Sequence, residues 1–254
     1  MINGLEVFTD HFAGHSGHYV LIGGGACDVQ FKQKDLEFRK TKDLDIVLIV
    51  EALTPVFVNH FWDFIKAGEY ALAQIDEKKC FYWFIKPQVG DFPVMLELFA
   101  RQPDMLPPAP GIHITDIPTS DEASSLSAIL MNNDYYHFTI ENSEVIDGVR
   151  IASDRALIVL KARAFLNNRE RKVAGQHVQE DDILKHRNDI LRLTATLPLL
   201  EPIPVPAVVK ADLLACIDLL PAENMEMKNV FKPMGIPNVP LETLLQRLKD
   251  VFTL

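Results

Sequence analysis

A chain of 254 residues with a formal net charge of −10 is long enough to bury a sizeable core, and its acidic balance argues against a surface built wholly for nucleic acid. Hydrophobic residues make up 48% and charged residues 24%, which excludes a disordered chain, and no uninterrupted apolar run is long enough to span a bilayer. No basic segment followed by an apolar signal core opens the sequence, so the expectation is a cytoplasmic protein without membrane contact, and Cys27, Cys80 and Cys216 are too scattered to write a disulfide framework or a CxxC metal site.

Leu5, Phe8 and Phe12 sit at helical spacing, and Gly14 and Gly17 end that helix before an apolar strand from Tyr19 to Ile22. Gly23, Gly24 and Gly25 then make a turn into a short helix reaching Phe31. Residues 32–42 are charged and lack periodicity, as a surface loop does. A strand is expected from Asp43 to Glu51 and a helix from Pro55 to Ala67, with Thr54 as its cap and Pro55 at its first position. Cys80 to Lys86, Pro93 to Ala100 and Gly111 to Asp116 read as strands, with a proline-rich loop from Pro103 to Pro110 between the last two. Tyr136 to Ile140 and Val149 to Ile151 complete the expected sheet. Ser153 caps a helix ending near Asn168, and from Glu180 onward the chain reads helical, with a linker from Leu197 to Pro206 and helices near Val208 to Leu220 and Leu241 to Val251. The expected fold is α/β (α+β): a mixed sheet flanked by helices in a core of residues 1–145, then a mainly helical region, residues 146–254, closing one side of the cleft.

The chemistry concentrates around Asp43-Leu-Asp45. Strand side chains alternate, so these carboxylates share one face about 7 Å apart, with the apolar run Ile46 to Val50 anchoring them. Two close carboxylates repel unless a proton or cation intervenes, and hard oxygen ligands suit Mg²⁺ carrying substrate phosphates. Upstream, Gly24 and Gly25 open a helix whose amide groups attract phosphate, at positions where a Cβ would hold it away. The three glycines match neither the dinucleotide pattern nor the Walker phosphate loop, so the weight rests on the combination. Alternation also puts Glu97 between Met95 and Phe99 on one strand face, where an ionised carboxylate needs a partner, such as a lysine or Arg101.

Lys161 lies on or beside a helical stripe of Leu157, Leu160, Ala164 and Phe165, where a lysine either snorkels or reaches into a cleft. Lys185 and Asp189 have the spacing of a weak surface pair on a helix. Basic residues crowd from Arg150 to Arg192, the one candidate stretch for meeting RNA or triphosphate. For His11, His15 and His18, Gly14 and Gly17 argue against the continuous helix that would align them on zinc. The run Phe81-Tyr-Trp-Phe84 offers rings that could stack bases, though such a run is more often core.

Gly23-Gly24 after an apolar strand, a helix, then Asp43-x-Asp45 opening a second strand resembles the DNA polymerase β nucleotidyltransferase superfamily. Within it, Ile151 to Ala164 and Lys185-His-Arg-Asn-Asp189-Ile190 resemble the AbiEii-like abortive-infection toxin nucleotidyltransferases. The resemblance implies transfer of a nucleoside monophosphate from a nucleoside triphosphate (NTP), with Asp43, Asp45 and Glu97 as catalytic residues and Mg²⁺ ligands. It further implies nucleotide binding by Gly23, Gly24, Gly25, Lys161 and Asp189, an RNA acceptor such as a tRNA end, and a neutralising antitoxin protein. That family usually has Asp where this chain has His186. A small hydroxyl-bearing acceptor such as an antibiotic, and a silent fold that only binds, remain open as alternatives.

Overall fold

The computed structural model of the protein describes residues 3–74, 81–99, 114–115, 129, 132–198, 201–221 and 226–254. The chain opens with α1 (Leu5–His11), β1 (Tyr19–Ile22), α2 (Gly23–Lys32), β2 (Asp43–Leu48) and α3 (Pro55–Ala67). Strands β3 (Ala71–Gln74), β4 (Phe81–Ile85), β5 (Met95–Phe99) and β6 (Ile114–Thr115) follow. Then come α4 (Asn133–Glu141), β7 (Ser143–Ile146), β8 (Val149–Ala152), α5 (Asp154–Val173), α6 (Glu180–Thr196), α7 (Ala207–Leu219), α8 (Met227–Phe231) and α9 (Leu241–Val251). Among the described residues eight strands form one mixed sheet in the order β6-β3-β4-β5-β2-β1-β8-β7. The fold is α/β, a mixed sheet flanked by helices. Because β8 pairs with β1 in parallel, the sheet draws on both sides of the expected boundary at residue 145.

Alternation along the central strands gives the sheet two chemically different sides. Leu21, Leu44, Ile46, Leu48, Leu96, Leu98 and Phe84 are all essentially inaccessible and share one side. Against that side pack α1 and α3, whose rings interlock with the sheet: Phe8 meets Tyr19 edge-on at 5.3 Å between centroids, and Phe61 meets Phe84 at 5.6 Å. Helix α3 starts where the sequence leads one to expect, with the Thr54 hydroxyl accepting from the Phe57 amide at 3.2 Å and Pro55 in its first turn. The other side of the sheet faces α2 and α5, and α5 in turn packs on α6 and α7.

The segment expected as a strand from Tyr136 to Ile140 is helical, part of α4. Asn132 caps this helix by accepting from the Asp134 amide at 2.9 Å, and Tyr135, Tyr136, Phe138 and Thr139 are buried at a spacing a helix satisfies. The cap and the packed face decide for the helix. Strands β3 and β7 and the short α8 had no sequence expectation, and α5 runs beyond Asn168 to Val173. Cys27 and Cys216 are buried free thiols. Cys80, Arg101 and the proline-rich loop from Pro103 to Pro110 lie outside the described residues. Among the described residues no helix is long and apolar enough to cross a membrane.

Candidate functional site

The register of the central strands assembles the acidic half of the site. Ile22 stands opposite Asp45, Asp45 beside Glu97, and Glu97 opposite Trp83, a row across β1, β2, β5 and β4. Residues in register on neighbouring strands point to the same side of a sheet, and Asp43, two residues before Asp45, shares that side. All three carboxylates are half-buried, while the intervening Leu44 and Leu96 are fully buried on the opposite side. A slip of one residue would drive the acids into the aromatic core, so core packing enforces their placement.

Burial and the neighbouring Asp43 carboxylate push the Asp45 carboxyl up to about 6. Its hydrogen bond with Glu97 and the charges of Lys161 and Lys185 act in the opposite sense. A proton or a cation therefore relieves real repulsion here. Among the described residues, no three His, Cys, Asp or Glu side chains stand close enough together to hold a metal ion as they are. What the fold supplies is a row of oxygen donors of the kind Mg²⁺ takes, with no soft ligand among them.

The glycine turn abuts this row. Gly23 has a φ of 66°, and a Cβ added to it would sit 1.6 Å from Asp45 Oδ2, so the carboxylate rests directly on the Gly23 backbone. A Cβ on Gly24 would meet Thr41 Oγ1 at 2.7 Å and lie 3.5 Å from Arg39 Nη2. Gly25 is buried in the first turn of α2. Gly24 thus admits the Thr41 side chain, with Arg39 in ordinary contact beside it, both from the segment before β2, which read from the sequence as a surface loop. We expect Gly23→Ala to cost about 1–2 kcal/mol of stability through its left-handed backbone and to displace Asp45. Chemical denaturation and an activity assay together check this, because a purely local backbone effect would leave activity untouched.

The basic half centres on Asp189, which has no exposed side-chain surface. Lys161 Nζ donates to Asp189 Oδ2 at 2.9 Å, Arg39 donates to both oxygens from Nε at 3.2 Å and to Oδ2 from Nη2 at 3.1 Å, and Arg192 Nη1 lies 3.5 Å from Oδ1. Burial opposes ionisation of Asp189, but Lys161 and Arg39 outweigh it and hold the carboxyl well below the usual range. Burial likewise disfavours the Lys161 charge, and Asp189 more than restores it.

Two expectations change accordingly. Lys185 and Asp189 do not form a surface pair: Asp189 lies on the inward stripe of α6 with Ile183, Ile190 and Leu193, and its partners come from α5, α6 and the segment before β2. Lys161 is buried and turned onto Asp189 instead of extending into open solvent, although its charge reaches Asp45. Asp189, having no accessible surface, bears on the site through the cations it holds. Arg39 and Thr41 were not anticipated.

Much of the basic stretch from Arg150 to Arg192 is spent internally. Arg163 pairs with Glu170 and Asp212, Lys172 with Glu180, Arg155 donates to the Glu201 carbonyl, and Arg192 donates to the Val230 carbonyl. Nor do His11, His15 and His18 share a helix face, since α1 stops at His11. They gather with His60 and Phe57 as stacked rings, His11 on His60 at 4.0 Å and His18 on Phe57 at 4.6 Å. The Nε2 atoms of His11 and His60 each contact the other's backbone carbonyl, which pins α1 to α3. The chain matches no protein-family model, no curated protein and no solved structure.

Proposed function

We propose that this chain is a divalent-metal-dependent nucleotidyltransferase that moves a nucleoside monophosphate from an NTP to an acceptor hydroxyl or phosphate and releases pyrophosphate. The observation that carries this reading is the register of Asp45 with Glu97, two residues after Asp43, beside the Gly23 backbone on which Asp45 rests. A purely structural set of acids has no reason to repel one another on the half-buried side of a central strand pair, one of them resting on a glycine backbone.

Asp43 and Asp45 are oxygen donors of the kind Mg²⁺ takes and would hold the ion, with Glu97 beside them as the base. Bound there, the ion would supply charge neutralisation for the triphosphate and alignment of the attacking oxygen. The chain's own groups do the rest. Glu97, in register beside Asp45, would take up the proton leaving the acceptor hydroxyl as the new oxygen–phosphorus bond forms. The bond between the α-phosphorus and the bridging oxygen breaks, and pyrophosphate carries away the electron pair. Arg39, held by Asp189, lies beside the glycine turn and would offer positive charge to the phosphate tail.

Incubating the protein with each α-phosphate-labelled NTP, Mg²⁺ and total RNA, or a set of hydroxyl-bearing small molecules, tests the reading. Transfer of label with stoichiometric pyrophosphate, abolished by EDTA, is the expected result. Label in tRNA identifies RNA as acceptor and makes a neutralising antitoxin partner the next object of search; label in a small molecule identifies the other class. Absence of both transfer and pyrophosphate with every NTP would leave a fold that binds without turnover.

A further inference from the structure

Around Asp189 the three cations are not equivalent. The side chains of Lys161 and Arg192 are 6% and 11% exposed, while that of Arg39 is 26% exposed. Arg39 is also the member that lies over the glycine turn, with Nη2 3.5 Å from the position a Gly24 Cβ would occupy. Its orientation is fixed from behind. Asp189 engages it through Nε and Nη2, a two-point hold on a planar group that sets direction as well as distance. Lys161 completes the hold by sharing Asp189 Oδ2, at 2.9 Å, so that the carboxylate is locked between two charges on different elements.

We propose that Arg39, and not Lys161, is the side chain that contacts the triphosphate tail of the substrate, and that Asp189 is the positioning residue that aims it. The proposal rests on the nucleotidyltransferase reading above and deepens it by assigning the phosphate contact. A guanidinium carries five donors in a rigid fork, and the pairing with Asp189 uses those on the Nε and Nη2 edge. Gly24 is then glycine for a reason different from the one the sequence suggests: its missing side chain makes room for Thr41 Oγ1, which a Cβ would crowd to 2.7 Å, while Arg39 Nη2 lies in ordinary contact at 3.5 Å. Lys161, almost fully enclosed, serves as the internal counter-charge that keeps Asp189 ionised.

The test compares equilibrium binding of the magnesium complexes of one nucleoside's tri-, di- and monophosphate to the full chain, measured by calorimetry. Wild type, Arg39→Lys, Arg39→Gln and Asp189→Asn are compared, with thermal unfolding recorded for each. Arg39→Lys retains a positive charge opposite Asp189 and keeps the fold, yet loses the fork. We expect it to bind triphosphate about tenfold more weakly, with Arg39→Gln weaker still and monophosphate affinity unchanged in both. Asp189→Asn, where folded, reproduces the selective loss without touching the ligand, which a merely structural role does not do. Variants that keep the wild-type ratio of triphosphate to monophosphate affinity would overturn the assignment while leaving the enzymatic reading in place. A wild type that shows this ratio and its dependence on Arg39 but never turns over sustains the assignment and removes the transferase reading. Equal binding of mono- and triphosphate by the wild type overturns both.

Discussion

Asp45→Asn is expected to be inactive and, in metal-free buffer, more stable than the wild-type protein above pH 6. Asp45 carries its proton more tightly folded than unfolded, because burial and Asp43 raise it to about 6 from the 3.8 of an unperturbed aspartate. A carboxyl shifted in this direction contributes stability below its unfolded range, and that contribution is lost as the pH rises from about 4 through 6. Asparagine removes the ionisation. The variant should therefore match the wild type near pH 4 and exceed it by something on the order of 2 kcal/mol above pH 6.5, measured by urea denaturation in EDTA. Transfer should fall by at least about a thousandfold, since the variant loses a ligand charge. Asp43→Asn should likewise abolish transfer with the fold intact. A variant equally stable at every pH would show that Asp45 is not under repulsion in the free protein, and full activity would remove it from the site.

Asp189→Ala has the opposite signature. It leaves Lys161, Arg39 and Arg192 around a carboxylate that is gone, and for a buried group with this many charged partners the loss is about 3–5 kcal/mol. Since its partners hold Asp189 below the usual carboxylate range, its contribution is present above about pH 4 and disappears as the pH falls further. The gap between wild type and variant in urea midpoints should therefore narrow in acid. Adding Lys161→Met to the variant removes one stranded charge and should recover part of the loss. A loss below about 1 kcal/mol, as for a surface pair, would mean that the cluster is far less enclosed than described.

The carboxylate row was legible because its determinants are local. Period two in Asp43 to Leu48 and in Met95 to Phe99 assigns each residue a side, and burial of Leu44 and Leu96 leaves only one side for the acids. Arg39 and Thr41 carried the same signal unnoticed. They precede Asp43 at alternate positions, and half-burial alternates with exposure through Arg39, Lys40, Thr41 and Lys42, as in an extended chain continuing the strand. The charge of the segment hid this. Asp189 was misplaced for the converse reason: its spacing from Lys185 suits an ion pair, but its spacing from His186 and Leu193 puts it on the buried stripe of α6, and only the packing of α6 on α5 decides between them. Residues 136–140 failed because aromatic content is shared by strands and buried helices, and a cap at Asn132 is a weak local signal.

The most direct measurement of the central claim is a titration of Mn²⁺, as a paramagnetic stand-in for Mg²⁺, followed by electron paramagnetic resonance at pH 7.5 with an NTP present. Wild-type protein should deplete the signal of the Mn²⁺–nucleotide complex with saturable stoichiometry, while Asp43→Asn and Glu97→Gln, each folded, should do so far more weakly. Equal uptake by wild type and both variants would place the ion elsewhere and contradict the account.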